Sequence, residues 1–353
     1  MRVVVTGGTG NVGTSVVAAL EREHGVDSVL ALARRAPDSG FGHEFAVADV
    51  TSDDLAPHFK NADAVVHLAW AIQPSRDEAS TRATNVDGSK RVFEAVAQAG
   101  VETLVYASSV GAYSPGPPDL HLVDESWPVE GIASSFYSRH KAEVERMLDE
   151  FELANPGCRV VRLRPALIFK GGAGAEIRRL FAGPLLPSPL VSPSRLPIFP
   201  WISGLSTQSV HSDDVGRAYV LAVTSDSSGA FNIAAEPVLN AATLRRGLGK
   251  RVVELPPGPV RGLCALSWRA RLQPTPEGWF DMGMKSPLMS SARAERELGW
   301  TAERSATATL AELLQGMADG SGEGTPPLAH DAGGTLRSGE IATGIGGRDD
   351  AAG

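Results

Sequence analysis

Apolar residues recur along the first half of this chain in short runs separated by longer amphipathic stretches. Residues 3–6, 29–33, 45–47, 64–68, 103–107 and 159–163 read as strands, most of them continuous apolar runs of the kind that are covered on both faces. Between them, 12–22 sets Val12, Val16, Val17 and Leu20 on one helical face. The stretch 84–98 offers Val86, Val92, Phe93 and Val96 as a buried stripe, 136–155 is long enough for five turns, and 52–59 is a shorter candidate. Strands alternating with helices of this length make crossover units, so the expected fold class is α/β, a doubly wound parallel sheet with helices on both faces.

After Pro165 the pattern changes. Pro184, Pro187, Pro189, Pro193, Pro197 and Pro200 exclude a long helix from 183–200 and predict an irregular excursion. Order returns with a helix over 214–224, a strand over 231–234, a helix over 239–248, a strand over 251–255 and closing helices over 291–298 and 307–317. Residues 256–288 mix tryptophans with prolines and give no single pattern. The expected organisation is a core over 1–165, a smaller irregular lobe over 166–317 with segments returning to the core, and a tail over 318–353. The tail is rich in glycine and poor in large apolar side chains, so it is expected to be disordered.

The chain has 353 residues with 42% hydrophobic and 21% charged positions, ordinary values for a soluble protein. A net charge of -8 and the lack of a basic cluster argue against a nucleic-acid partner. No apolar run approaches the ~18 residues of a membrane helix, and the N-terminal run is too short for a signal peptide. Cys158 and Cys264 have no partners at metal-ligand spacing, so no metal site is expected and a reducing, cytoplasmic setting is the default.

The sharpest local signal is Thr6-Gly-Gly-Thr-Gly-Asn-Val-Gly13, between a valine strand and a helix. Gly7, Gly10 and Gly13 allow backbone N–H groups at a helix N-terminus to approach an anion closely, and Thr9, Asn11 and Val12 complete a loop of the dinucleotide-binding type. The second strand ends in Ala33-Arg34-Arg35 with no acid before Asp38. An arginine there suits a 2′-phosphate, which favours NADP over NAD, although Arg34 could instead stack on adenine or face solvent. Asp49-Val50 follows the third strand, where Asp49 could accept from an adenine amino group or cap a helix.

Tyr137 and Lys141 are four apart on a predicted helix and share a face. A neighbouring ammonium stabilises phenolate and lowers the pKa of tyrosine, which makes the pair a candidate acid/base. Upstream, a strand runs into Ala107-Ser108-Ser109, with Tyr113 four residues beyond Ser109. A serine at the C-terminal end of such a strand points into the crevice where doubly wound folds bind ligands.

These pieces together resemble an extended short-chain dehydrogenase/reductase of the NAD(P)-dependent epimerase/dehydratase type. The correspondence runs in order through Thr6 to Gly13, Asp49-Val50, His67-Leu-Ala69, Asn85-Val86, Ser108-Ser109 with Tyr113, Tyr137 with Lys141, Arg164-Pro165, Val210 to Val215 and Leu298-Gly-Trp300. It covers residues 1–315. The resemblance implies a Rossmann-type core, with Ser109, Tyr137 and Lys141 as the catalytic set and Lys141 also anchoring the cofactor ribose. His67, Leu68, Ala69, Ala107, Pro165 and Ile168 would line the cofactor, and Asn85 would support the active-site helix. Asp213 and Asp214 would tie the second lobe to the core, and His140 is expected on the helix surface.

Two departures stand out. Trp70 replaces a second alanine, and Ile168-Phe169-Lys170 replaces the usual tyrosine and glycine. With Trp70, Tyr113, Phe136 and Trp201 near the substrate, a less polar small molecule is expected. The implied reaction is hydride transfer between a nicotinamide and a carbonyl or alcohol. Alternatives are an NAD-dependent epimerase acting on a nucleotide sugar through a keto intermediate, and a non-catalytic NAD(P)-binding regulatory protein. A nucleotide sugar would need phosphate-facing arginines, for which Arg178, Arg179, Arg195, Arg217 and Arg269 are available. The helices at 84–98 and 136–155 could pair with a second copy in a homodimer.

Overall fold

The computed structural model describes residues 1–37, 41–72, 76–182 and 198–329. Its centre is a seven-stranded, wholly parallel sheet. The strands are β1 (Arg2–Thr6), β2 (Ser28–Ala33), β3 (Phe45–Val47), β4 (Ala64–His67), β5 (Thr103–Ala107), β6 (Arg159–Pro165) and β10 (Gly229–Ile233), in the spatial order β10-β6-β5-β4-β1-β2-β3. The order reverses between β1 and β4, which opens a crevice at the carboxyl ends of those strands. Crossover helices bury both faces, so most central-strand residues have no solvent side and the strands read as unbroken apolar runs.

One face is packed by α1 (Asn11–Leu20) and by α7 (Ser212–Thr224), through Val16, Val17 and Leu20 from the first and Val215, Tyr219 and Val223 from the second. The other is packed by α2 (Ala56–Phe59), α4 (Gly88–Ala99) and α5 (Phe136–Ala154), through Phe59, Val92, Phe93, Val96, Val144 and Leu148. The helix expected over 84–98 is longer and composite. It starts as α3 (Glu78–Arg82), capped by Asp77, and passes through a π-helical turn at Ala83–Asp87 before α4.

The second lobe carries a three-stranded sheet of β11 (Ala235–Leu239), β9 (Thr207–His211) and β7 (Leu167–Phe169), and a parallel pair of β12 (Arg251–Leu255) with β8 (Ile198–Ile202). Its helices are α6 (Gly174–Ile177), α8 (Ala241–Leu248), α9 (Pro257–Arg269), α10 (Glu277–Lys285) and α11 (Ala306–Asp319). The stretch that gave no sequence pattern is thus two short helices, each entered through proline. Of the predicted proline-rich excursion, 183–197 lies outside the described residues, while Ile198–Pro200 belongs to β8 and is not irregular.

The two lobes are joined where expected. Ser15 Oγ donates to Asp213 (2.9 Å), Asp214 accepts from the Arg304 backbone N–H (3.1 Å), and Trp300 Nε1 donates to the Asp214 carbonyl (2.8 Å). The expected tail needs correction. α11 runs to Asp319, and residues 320–329 pack on the second lobe with Thr325 and Leu328 buried. Residues 330–353 lie outside the described residues. Among the described residues, no helix is long and apolar enough to cross a membrane, and no cluster of His, Cys, Asp or Glu is placed to hold a metal.

Candidate active site

The chain leaves β1 at Thr6 and turns through Gly7, whose φ of +73° is open to glycine at little cost. At Gly13 a Cβ would lie 2.2 Å from the Gly7 carbonyl oxygen, so the strand and helix meet this closely only without a side chain. Gly10 is different. A Cβ there would meet only that same oxygen, at an ordinary 3.5 Å, so the fold does not itself demand glycine. Gly10 is the N-cap of α1 with no side-chain hydrogen bond to the first turn, which leaves the helix N-terminus open to an external anion. Beside it Asn11 donates to the Ile168 carbonyl (3.3 Å), and its buried Oδ1 has no partner among the described residues. An open helix end and a bare N-cap fit a nucleotide diphosphate.

A cavity of about 980 Å³ runs from this loop into the second lobe. Its wall includes Gly7, Thr9, Gly10, Asn11, Val12, Gly13, Arg34, Val50, Leu68, Ala69, Trp70, Ala107, Ser109, Tyr137, Lys141, Pro165 and Ile168, which brings together most of the residues singled out from sequence. Arg34 and Arg35 reach it from the end of β2, both exposed, and neither has a hydrogen-bond or ion-pair partner among the described residues. The far end is walled by Leu180, Phe181, Val260, Trp279, Phe280 and Met282.

Tyr137 and Lys141 project from the first turns of α5, whose N-cap Ser135 accepts from the Ser138 N–H. Burial pushes the Tyr137 phenol up to about 12, opposed by a hydrogen bond with Ser109. The expected depression by Lys141 is therefore not the net effect. The reason is geometric. The ammonium of Lys141 donates to the Ala107 carbonyl (2.5 Å), lies 3.4 Å from the centre of the Trp70 ring and is 5.9 Å from the centre of the Tyr137 ring. Burial holds Lys141 well below the usual lysine range, with Glu145 pulling the other way.

Under this pair lies a charge cluster that the sequence reading missed. Glu145, one turn beyond Lys141, receives both arms of Arg164 (2.8 and 2.9 Å), Arg162 (3.1 Å) and the Ser108 hydroxyl. Burial would raise the Glu145 carboxyl, but the hydrogen bonds and charge of Arg164, then Arg162 and Ser108, bring it down to about 2. The available signal was two arginines two apart in an apolar strand, which places both on one face beneath the helix.

Four expected site residues do not reach the cavity wall. Tyr113 is fully buried, its hydroxyl donating to Asn232 Oδ1 (2.7 Å) and accepting from Arg164 (3.0 Å), so it extends the charge cluster. Phe136 is buried against Trp279 and His140. Asp49 turns its carboxylate onto the Thr51 N–H and hydroxyl (2.8 and 2.7 Å), the local turn role rather than an adenine contact. Asn85 is fully buried and clamps both backbone groups of Ala71 (2.7 and 3.1 Å), supporting the wall from behind.

Other placements also differ from expectation. His67 bonds Thr6 and Ser89 from within the core, and burial, then Lys141, hold its imidazole down at about 3. His140 is buried, not on the helix surface, with Nε2 3.8 Å from Glu78. Trp201 stacks on Phe199 away from the cavity. Of the arginines available for phosphates, Arg217 and Arg269 pair with Glu303 and Glu277, Arg179 donates to the Pro327 carbonyl, and Arg178 also lies off the wall. Arg195 lies outside the described residues.

A family model described as the NAD dependent epimerase/dehydratase family matches residues 3–234. An uncharacterized protein of Mycobacterium tuberculosis is 29% identical over 259 residues, 72% of this chain, which thus spans 24% of that relative's length. A 3-diazoavenalumate denitrifying reductase from Streptomyces sp is 28% identical over 323 residues, 85% of this chain and 95% of that one. The UDP-glucose-4-epimerase of Stenotrophomonas maltophila, solved with NAD and formylated UDP-arabinopyranose, shares the fold with a TM-score of 0.68 at 21% identity, over 90% of this chain and 98% of its own. With the family match spanning most of the sheet and all of the glycine cradle, the chain belongs to the NAD dependent epimerase/dehydratase family.

Proposed function

We propose that the protein is an NADP-dependent reductase or dehydrogenase acting on the carbonyl or alcohol of a small, largely apolar molecule. The observation that carries this is the distribution of charge around the cavity. Its basic wall residues, Arg34, Arg35 and Lys141, lie at the nucleotide end or at the reacting centre. Among the described residues the far wall of Leu180, Phe181, Val260, Trp279, Phe280 and Met282 has no cation for a substrate phosphate. Arg34 at the end of β2, with no partner among the described residues, supports a 2′-phosphate, since a guanidinium meets it with charge-assisted bonds.

In this reading Gly10 and Asn11 hold the diphosphate at the N-terminus of α1. Pro165 and Ile168 flank the nicotinamide, and Lys141 anchors the adjacent ribose. The cofactor, when bound, supplies or accepts the hydride. Tyr137 Oη gives its proton to the substrate oxygen in reduction and takes it back in oxidation, and Ser109 Oγ donates a hydrogen bond to the same oxygen. The Ser109 hydrogen bond favours the phenolate left on Tyr137, which burial disfavours. Apolar walls exclude water from the transfer.

A second reading, epimerisation of a nucleotide sugar with retained NAD, is the one the comparisons favour more, through the family description and UDP-sugar-bound structural neighbours. A non-catalytic role is disfavoured by the convergence of Ser109, Tyr137 and Lys141 on one wall. The deciding experiment identifies the nucleotide retained on purification, then assays NADP and NAD with aryl and alicyclic ketones, their alcohols and UDP-sugars. Net oxidation or reduction with freely exchanging NADP supports the proposal. Interconversion of UDP-sugar epimers with retained NAD replaces it with the second reading.

A further inference from the structure

The segment that follows α11 contributes to the wall of the cofactor cavity through Pro326 and Pro327. It is held there by a compact set of bonds. The Ser321 carbonyl accepts from Ala175 N–H (3.0 Å), Glu323 N–H donates to the Leu328 carbonyl (3.1 Å), and Leu328 is fully buried. The fastening to the nucleotide loop is ionic. Lys170, only 7% exposed, donates to Glu323 (2.8 Å) and to Thr14 Oγ1 (2.6 Å), and Thr14 also donates to Glu323 (3.2 Å).

Thr14 lies in the first turn of α1, directly behind the bare N-cap. A buried ammonium beside a helix N-terminus is unfavourable on two counts, lost solvation and the sign of the helix dipole. Glu323 offsets both. The link spans 153 residues of sequence, and its Glu323 end lies outside the stretch covered by the family match.

We propose that residues 321–328 are part of the cofactor-binding site, a strap over the dinucleotide, with Lys170 and Glu323 as positioning residues. They fix the first turn of α1 and seat Pro326 and Pro327 against the cavity. The inference rests on this cavity being the NAD(P) site. The strap and the dinucleotide stabilise each other, so loosening either weakens the other by the same factor.

The test is hydrogen exchange on the full-length wild-type protein, with and without NADPH, together with equilibrium binding of NADPH to wild type and Glu323→Gln. Slower exchange across 321–328 on adding NADPH is expected, with a Kd about tenfold weaker in Glu323→Gln. Unchanged exchange in 321–328 of wild type that does bind NADPH would overturn the strap, with no variant needed. So would a Glu323→Gln protein of lower melting temperature and unaltered Kd, because that is the signature of a structural contact alone. Wild-type protein that bound neither NADP nor NAD would overturn the site assignment together with the strap.

Discussion

Replacing Glu145 with glutamine removes the charge on which Arg164, Arg162 and Ser108 converge, with almost no change of shape. The wild-type carboxyl is carried from an ordinary 4.5 to about 2 in the fold. By linkage that difference corresponds to about 3 kcal/mol of stability. The figure agrees with the roughly 3–5 kcal/mol lost when one partner of a buried ion pair is removed. The sign follows from the depressed folded value. The contribution is complete above the unfolded pKa near 4.5 and disappears as pH falls through about 2. Denaturant unfolding of wild type and Glu145→Gln from pH 7 down to pH 2 measures it, and taking the difference between the two proteins cancels the other titrating groups. A gap of about 3 kcal/mol at neutral pH that closes between pH 4.5 and pH 2 is expected. A gap of the same size at every pH would refute the electrostatic account and assign the loss to packing.

Further predictions concern the cavity. Arg34→Ser should lower kcat/KM with NADPH by about 10- to 100-fold and leave NADH almost unaffected, the loss expected for one charge-assisted contact; equal loss with both cofactors would remove the basis for NADP. Trp70→Ala deletes the ring beneath the Lys141 ammonium and should move the acidic limb of the kcat/KM profile while Trp70→Phe moves it less, by the roughly 0.5–2 kcal/mol of a cation–π contact. His67, buried and held near 3, should show no imidazole titration by NMR between pH 8 and pH 5, and a midpoint near 6.5 would contradict its burial. Because its folded value is depressed, its contribution to stability is complete above about 6.5 and declines as pH falls toward 3.

What could be read from sequence was what is local or periodic. The glycine loop, the strands of the central sheet and the Tyr137–Lys141 pair are each set by neighbours a few residues away, so spacing alone located them. Tyr113 and Phe136 were misplaced because spacing tells which face a side chain takes but not what packs on it; Asn232 and Trp279 come from distant segments. His140 is buried because Phe136 and Glu78 cover it, and α3, which carries Glu78, was not foreseen. The C-terminal strap was illegible for a different reason. Its composition promises little burial, yet one ion pair to Lys170 and a buried Leu328 hold it.

The central claim is that Tyr137 moves the substrate proton during hydride exchange with a bound nicotinamide. Its most direct test is nicotinamide absorbance in single turnovers of wild type and Tyr137→Phe, using NADPH and whichever ketone the panel shows to be reduced. Removing the phenol hydroxyl should slow the hydride step by about 10²- to 10⁴-fold with cofactor affinity preserved. A Tyr137→Phe protein that reduces the ketone at the wild-type rate would contradict the account.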